Sequence, residues 1–268
     1  MIIPTADNTF FSNLADFAAD FFYEQGYTAV ILSSGNNAER EKSHLKFLMD
    51  FGAEGILCVS GLSTLPEEII PEGFPLVCLD RHPKTAWPVP LVANDDRAAM
   101  YQATDYLLSK GCRHILLMPG YLAETMTSPR VTGYEEALRK HGIEADPEYI
   151  LHRRGKKSSE TETEEMLRQI IEKGLPLDAV ITSSDRAAFG AVTALHQVGL
   201  YVPEDVKLIS FDNSPYSAMA SPAFTAIDRN PRELAETAGR CLLNMIKGIP
   251  TDKEIIVQVN MCVRDSTR

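Results

Sequence analysis

Residues 178–213 read DAVITSSDRAAFGAVTALHQVGLYVPEDVKLISFDN, and their pattern indicates the fold class most clearly. It opens with an apolar run at 179–182, continues through an amphipathic segment that stops at Gly199, and ends with a second apolar run at 207–211. Continuous Ala, Val, Ile and Leu is typical of strands buried on both faces, and a glycine after a helical pattern predicts a C-terminal cap. The stretch therefore predicts a strand, a helix and a second strand that lies parallel to the first.

The same alternation extends along almost the whole chain. Amphipathic segments such as EREKSHLKFLMDFG (39–52) precede apolar runs such as GILCVS (55–60). About seven such strands fit two smaller doubly wound α/β sheets better than one large sheet. The alternation breaks near residues 89–95 and 221–236, where we expect the chain to cross between two lobes. The predicted N-terminal lobe is 1–94 plus 229–253, and the predicted C-terminal lobe is 95–228 plus 254–268.

The composition argues against several classes of protein. The formal net charge is −11, from 37 acidic and 26 basic residues, and no stretch concentrates lysine and arginine enough to follow a phosphate backbone. This segment is therefore not expected to bind nucleic acid by itself. No run approaches the roughly 18 to 20 apolar residues that span a bilayer, and the first residues lack a signal-peptide pattern, so neither membrane insertion nor secretion is predicted. Five cysteines without a CxxC pair favour reduced thiols in a cytoplasmic protein over disulfides or a zinc site.

Polar residues follow four of the apolar runs. Because the ligand crevice of an open α/β sheet lies beyond the carboxyl ends of its strands, these residues are candidates for binding a polar small molecule. The alternative is that each caps a turn, as Asp and Asn commonly do after a strand, and this alternative stays open for Asp212. The candidates are Asp80 and Arg81, Ser184 and Asp185, Asp212 and Asn213, and Asp228 and Arg229.

A further candidate region is NTFFSNLADF (8–17), between the first strand and the first helix. Phe10 and Phe11, beside Asn8, either act as hydrophobic staples of the helix or stack against a ligand ring. The sequence has no nucleotide-binding glycine motif, no G-x-S-x-G and no H-E-x-x-H. We therefore expect no enzyme, no catalytic residue, no cofactor and no metal site.

Several segments carry a resemblance to a known family. Among them are LVCLDR (76–81), YLLSKGCRHILLMPG (106–120) and RVTGYEEAL (130–138), and the most specific are VPEDV (202–206) and RDST (264–267). Together they resemble the effector-binding core of the LacI/GalR family of bacterial transcription regulators. The family implies two periplasmic-binding-protein-like lobes of type I, joined by hinge crossings, with a small molecule in the cleft between them. It also implies a homodimer, and operator DNA bound by a helix-turn-helix headpiece that precedes this core and is not expected within this chain.

The resemblance further implies a set of ligand-binding residues. The effector would be a sugar, a sugar derivative or a nucleobase, for which Asp212 and Arg130 offer charge-assisted hydrogen bonds. The implied pocket comprises Asn8, Phe10, Phe11, Asp80, Arg81, Met126, Arg130, Ser184, Asp185, Asp212 and Arg229.

Two other functions compete with a regulator core. One is a solute-binding protein of a sugar transporter, which would use the same fold; the other is an enzyme, for which no nucleophile and base emerge from the sequence. For the regulator, the dimer faces are expected around Asp16 and Asp20 of the first helix and around residues 216–219.

Overall fold

The computed structural model describes residues 1–121, 128–155 and 157–268. The chain divides into two compact units: Met1–Asn94 with Asn230–Gln258, and Asp95–Arg229 with Val259–Arg268. The described residues include no helix that is both long enough and apolar enough to cross a membrane.

Strands and helices alternate through both units. The strands are β1 (Ile2–Ile3), β2 (Leu32–Ser33), β3 (Ile56–Cys58), β4 (Leu76–Leu79), β5 (Leu91–Asn94), β6 (Ile115–Tyr121), β7 (Ile150–Arg153), β8 (Ala179–Thr182), β9 (Lys207–Phe211), β10 (Thr225–Asp228), β11 (Glu254–Val257) and β12 (Asn260–Cys262). The helices are α1 (Thr9–Glu24), α2 (Ala38–Phe51), α3 (Asp96–Ser109), α4 (Pro129–Lys140), α5 (Ser159–Glu172), α6 (Asp185–Gln197), α7 (Pro215–Met219) and α8 (Pro231–Ile246). Short 3-10 turns form at Pro147–Tyr149 and Asp265–Thr267.

Each unit contains one sheet of six strands. The first has the order β11-β5-β4-β3-β1-β2 and the second has the order β12-β10-β9-β8-β6-β7. Every described pairing is parallel except that of β10 with β12. In the second sheet the strand order reverses between β6 and β8, and such a reversal is where doubly wound sheets bind ligands. The predicted fold class, two doubly wound parallel sheets, is confirmed.

Apolar side chains cover both faces of the second sheet. One core cluster joins α3 and α4 to the sheet, and another joins α5 and α6 to the opposite face. The close approach of α4 to α3 requires Gly133, because a Cβ at that position would overlap the carbonyl oxygen of Arg97. This approach brings the first turns of α3 and α4 together at the carboxyl end of the sheet.

The observed unit boundaries differ from the predicted lobes at two places. Arg229 falls in the second unit, where its guanidinium lies near two carboxylates. Residues 254–258 fall in the first unit, because β11 pairs with β5 from Glu254 to Val257.

Candidate functional site

Arg130 and Asp96 form an ion pair at the carboxyl end of the second sheet. Arg130 lies in the first turn of α4 and its Nε donates to Oδ2 of Asp96, the first residue of α3, at 2.8 Å. Its Nη1 lies 3.5 Å from the Pro119 carbonyl oxygen and 3.4 Å from that of Ser183. Its guanidinium carbon also lies 4.1 Å from the ring centroid of Phe211, at the end of β9. Since Pro119 belongs to β6 and Ser183 follows β8, Arg130 lies where the strand order reverses.

A second guanidinium, that of Arg229, extends this pair. Arg229 follows β10 and is 3% exposed; its Nη1 lies 3.8 Å from Asp212 Oδ1 and its Nε lies 4.0 Å from Asp96 Oδ1. That Asp96 oxygen is buried and accepts no hydrogen bond from the described residues. Arg130, Asp96, Arg229 and Asp212 thus form a series of alternating charges with a formal sum of zero, in which Arg229 and Asp212 are buried and Arg130 and Asp96 are partly exposed. We call these four residues the charge network.

The backbone at Asp212 is in an unusual conformation. Asp212 and Asn213 have φ angles of +89° and +51°, in the left-handed region that costs an L-residue about 1–2 kcal/mol. Ser214, rather than Asp212, is the N-cap of α7, and the Asp212 carboxylate is paired with Arg229. Strained residues of this kind persist where the surrounding structure holds them and are frequent at binding sites.

Ser184 and Asp185 have structural bonds instead of free polar groups. Ser184 is the N-cap of α6, and its Oγ accepts from the Ala187 amide at 3.2 Å. Asp185 is buried, and its carboxylate accepts from Ser210 Oγ at 2.5 Å and from the Ser214 amide at 2.6 Å. Burial raises the pKa of the Asp185 carboxyl, and the bonds from Ser210 and Ser214 act against that rise. These bonds favour a structural role for Ser184 and Asp185 over direct contact with a ligand.

In the first unit, the first-loop candidates form the start of α1. Asn8 is its N-cap and accepts from the Phe10 amide at 2.8 Å. Phe10 is 2% exposed, and Phe10 and Phe11 pack edge to face within the core, with ring centroids 5.3 Å apart. This burial favours packing of both rings in the core over stacking against a ligand.

Asp80 and Arg81 occupy the carboxyl end of β4. Asp80 has a φ of +63°, in the left-handed region. An aspartate with a positive φ therefore follows β4, just as Asp212 follows β9. Arg81 Nε lies 3.7 Å from Asp80 Oδ2, and the guanidinium carbon lies 5.8 Å from the Phe11 ring centroid. The first unit therefore has its own pair of opposite charges at a strand end.

Met126, a further predicted contact, lies outside the described residues. Within the part of the chain that the structure describes, no group of three or more His, Cys, Asp or Glu side chains is arranged to hold a metal ion.

A cavity of about 730 Å³ in the second unit does not coincide with the charge network. It is lined in part by Tyr201, Pro203 and Pro222, which precede the amino ends of β9 and β10. Three charged residues line it, Glu204, Asp265 and Arg268; all three are exposed, and the last two pair with each other at 3.2 Å. The strand ends, rather than this cavity, are the better candidate for a site that binds a polar ligand, because the buried charges there require polar partners.

Sequence reasoning missed Asp96 as a site residue. The available signal was the pair Asp95-Asp96 directly after a predicted crossing. Asp95 caps α3, accepting from the Ala98 amide at 2.9 Å, and Asp96 is left to pair with arginine. Its partner Arg130 lies 34 residues away in sequence, a separation that no local pattern reveals.

Comparison with known proteins gives a consistent family. The family model of the periplasmic binding protein-like domain matches residues 104–267, more than half of the chain. The chain is 27% identical over 273 residues to the ribose operon repressor of Halalkalibacterium halodurans, covering all of this chain and 78% of that protein. It is 28% identical over 271 residues to the HTH-type transcriptional repressor PurR of Vibrio atlanticus, covering all of this chain and 80% of that one.

A solved structure agrees with these relatives. It is a periplasmic binding protein/LacI transcriptional regulator from Alkaliphilus metalliredigens QYMF, complexed with D-xylulofuranose. The TM-score is 0.87 at 25% identity, and the alignment covers all of this chain and 97% of that one. The chain belongs to the periplasmic binding protein-like domain family, and within it to the transcription regulators of the LacI type.

Proposed function

We propose that this chain is the effector-binding core of a bacterial transcriptional repressor, and that the charge network binds an uncharged polyhydroxy compound or nucleobase. The observation that carries the proposal is the buried Oδ1 of Asp96. It accepts no hydrogen bond from the described residues, and it lies near one guanidinium while the other oxygen accepts from a second. A ligand hydroxyl or ring N–H that donates to this oxygen would satisfy it.

The balance of charge supports an uncharged effector. Each arginine of the network already has a carboxylate partner: Asp96 for Arg130 and Asp212 for Arg229. A phosphate or carboxylate ligand would have to compete with these carboxylates and would meet two negative groups in a buried setting. A hydroxyl instead donates to a carboxylate and accepts from a guanidinium, so it can bind to the charge network without changing its net charge.

The relatives support the same class of ligand. One relative is named a ribose operon repressor, and the solved neighbour is complexed with D-xylulofuranose, a pentulose. We take D-ribose and D-xylulose as the first candidate effectors for this chain. For Asp80 and Arg81, at a strand end of the first unit, a role in ligand binding stays a prediction from the sequence.

Regulation requires two further properties. Operator binding is proposed to reside in residues outside this 268-residue chain, because a net charge of −11 opposes contact with phosphates. A homodimer is proposed because repressors of this kind read paired half-sites. Tyr216 and Met219 on α7 are 55% and 79% exposed, which suits the predicted dimer face. Sedimentation velocity should give a dimer at tens of micromolar; a monomer throughout that range would contradict this assembly.

A thermal-shift screen tests the proposed ligand class. The panel contains pentoses, hexoses, polyols and nucleobases, with the phosphorylated form of each sugar as its matched comparison. At a ligand concentration about 100-fold above the Kd, binding adds about 2.7 kcal/mol to the free energy of unfolding, which is readily seen as a higher melting temperature. We expect stabilisation by at least one uncharged compound and less by its phosphate. Stabilisation by phosphorylated compounds alone, or by none of the panel, would contradict the proposal.

A further inference from the structure

The turn that carries Asp212 needs support from outside itself. Two consecutive non-glycine residues, Asp212 and Asn213, have positive φ angles there. Such strain persists only where other contacts over-determine the conformation. The contacts that hold the turn therefore also decide where the Asp212 carboxylate lies relative to Arg229.

Asp185 holds the main chain of this turn. One carboxylate oxygen accepts from the Ser214 amide, directly after the turn, at 2.6 Å. The other accepts from Ser210 Oγ, within β9 and just before the turn, at 2.5 Å. A single buried carboxylate thus fixes both ends of the turn to the start of α6.

Arg264, from the terminal RDST motif, binds the side chain of Asn213 in this turn. Its Nη2 donates to Asn213 Oδ1 at 2.6 Å, and its Nη1 donates to the Phe224 carbonyl oxygen at 2.7 Å. The Asn213 amide nitrogen in turn donates to Asp228 Oδ2 at 3.0 Å. The Asn213 side chain is therefore bonded at both its oxygen and its nitrogen, and one of those bonds comes from the end of the chain.

Ser266 anchors the segment that carries Arg264 to the second sheet. Its Oγ donates to the Leu208 carbonyl oxygen at 2.6 Å and accepts from the Thr225 amide at 2.8 Å. The segment is thereby anchored to both β9 and β10, with Ser266 fully buried. The position of Arg264 is consequently fixed by a segment that is hydrogen-bonded to both strands.

We propose that Arg264 and Asp185 are positioning residues: they hold the left-handed turn at Asp212 and Asn213 and so fix the Asp212 carboxylate for the effector. The inference rests on the proposed function, since it assigns Asp212 to effector binding. Neither positioning residue touches the effector itself. This role also accounts for the arginine of the RDST motif, whose hydrogen bonds apolar packing alone does not explain.

Hydrogen exchange in the ligand-free protein tests whether the turn is held. The rate of the Ser214 amide is compared in the parent, Arg264→Met and Asn213→Gly. The control is Arg268→Met, which removes an exposed arginine bonded to Asp265 in the same segment. Loss of a charge-assisted bond should speed exchange by about tenfold or more in Arg264→Met. Asn213→Gly keeps the backbone unstrained and should fold, yet should show the same faster exchange.

Exchange at the parent rate in both Arg264→Met and Asn213→Gly would overturn the proposal. A faster rate in both, with Arg268→Met unchanged, supports it. If Arg264→Met does not fold, Asn213→Gly alone decides the question.

A double-mutant cycle then tests positioning through Asp212, with D-ribose and D-xylulose as probes in calorimetry. Arg264→Met should weaken binding by about tenfold in the parent and by much less when Asp212→Asn is already present. Equal losses in both backgrounds would mean a purely structural role and would overturn the proposal. A loss in Asp212→Asn without one in Arg264→Met refutes the positioning role and leaves the proposed function intact. If neither sugar binds the parent, the proposed pentose effector fails, while the exchange rates still decide whether the turn is held.

Discussion

Replacing Arg229 with methionine should destabilise the second unit strongly. The guanidinium lies 3.8 Å from Asp212 and 4.0 Å from Asp96, so each attraction amounts to about 4 kcal/mol at an effective dielectric constant of 20. Desolvation of the three groups offsets much of this, but removal of one partner leaves buried carboxylates uncompensated. Such losses typically amount to about 3–5 kcal/mol.

The expected loss lies near the lower end of that range. Asp96 keeps its hydrogen bond from Arg130 at 2.8 Å and is partly exposed, so the loss of attraction falls mainly on the more deeply buried Asp212. We expect Arg229→Met to cost about 3 kcal/mol. Adding Asp212→Asn removes the carboxylate charge that faced the guanidinium and should restore about half of the loss.

Urea denaturation followed by circular dichroism measures these changes. Fluorescence is less suitable, because the single tryptophan, Trp87, lies in the first unit. The matched control is Arg168→Met, which removes an exposed i,i+4 pair with Glu164 on α5 and should leave the midpoint nearly unchanged. Equal costs for Arg229→Met and Arg168→Met, or a further loss on adding Asp212→Asn, would refute the reasoning.

Three other outcomes follow from the same contacts. Burial raises the pKa of Asp185 in the folded protein, so its contribution to stability is fully present below the unfolded value of about 3.9 and is lost as pH rises through the folded pKa. Denaturation between pH 4 and 8 should show the parent gaining stability relative to Asp185→Asn as pH falls, and a parallel pair of curves would contradict this. Ser266→Ala should cost about 1–3 kcal/mol by urea denaturation, because it leaves the buried Thr225 amide unpaired, and a neutral change would count against the anchor. In the native protein, thiol titration should label Cys262 first, because the other four cysteines are buried; rapid labelling of all five would show that these cores are open.

The sequence predicted the central elements of the fold better than its edges. The β8-α6-β9 unit was recognisable because both strands are buried on two faces and read as continuous apolar runs. By contrast, β11 and β12 are partly exposed edge strands, so their sequences lack that signal. This is also why the predicted boundary at 253 and 254 differs from the observed one.

The site was predicted in part, for a physical reason. Position at a strand end selects polar residues, but it does not distinguish a ligand contact from a cap. Asp212 and Ser184 both follow buried strands, yet Ser184 caps α6 while Asp212 pairs with Arg229. That distinction depends on tertiary contacts such as the one between Asp212 and Arg229, which the local sequence does not reveal.

The affinity of Asp212→Asn for an uncharged effector shows directly whether the charge network binds the effector. The substitution keeps the size of the side chain and removes the charge, so calorimetry with the best compound from the thermal-shift screen compares like with like. Asp205→Asn is the control, since that exposed carboxylate lies before the start of β9 and accepts from the Tyr201 amide at 2.8 Å. Loss of a buried charge-assisted bond to a ligand hydroxyl should cost about 1.5–3 kcal/mol, or roughly ten- to a hundredfold in Kd, with the control unchanged. If Asp212→Asn binds as tightly as the parent, the charge network is structural and the effector binds elsewhere.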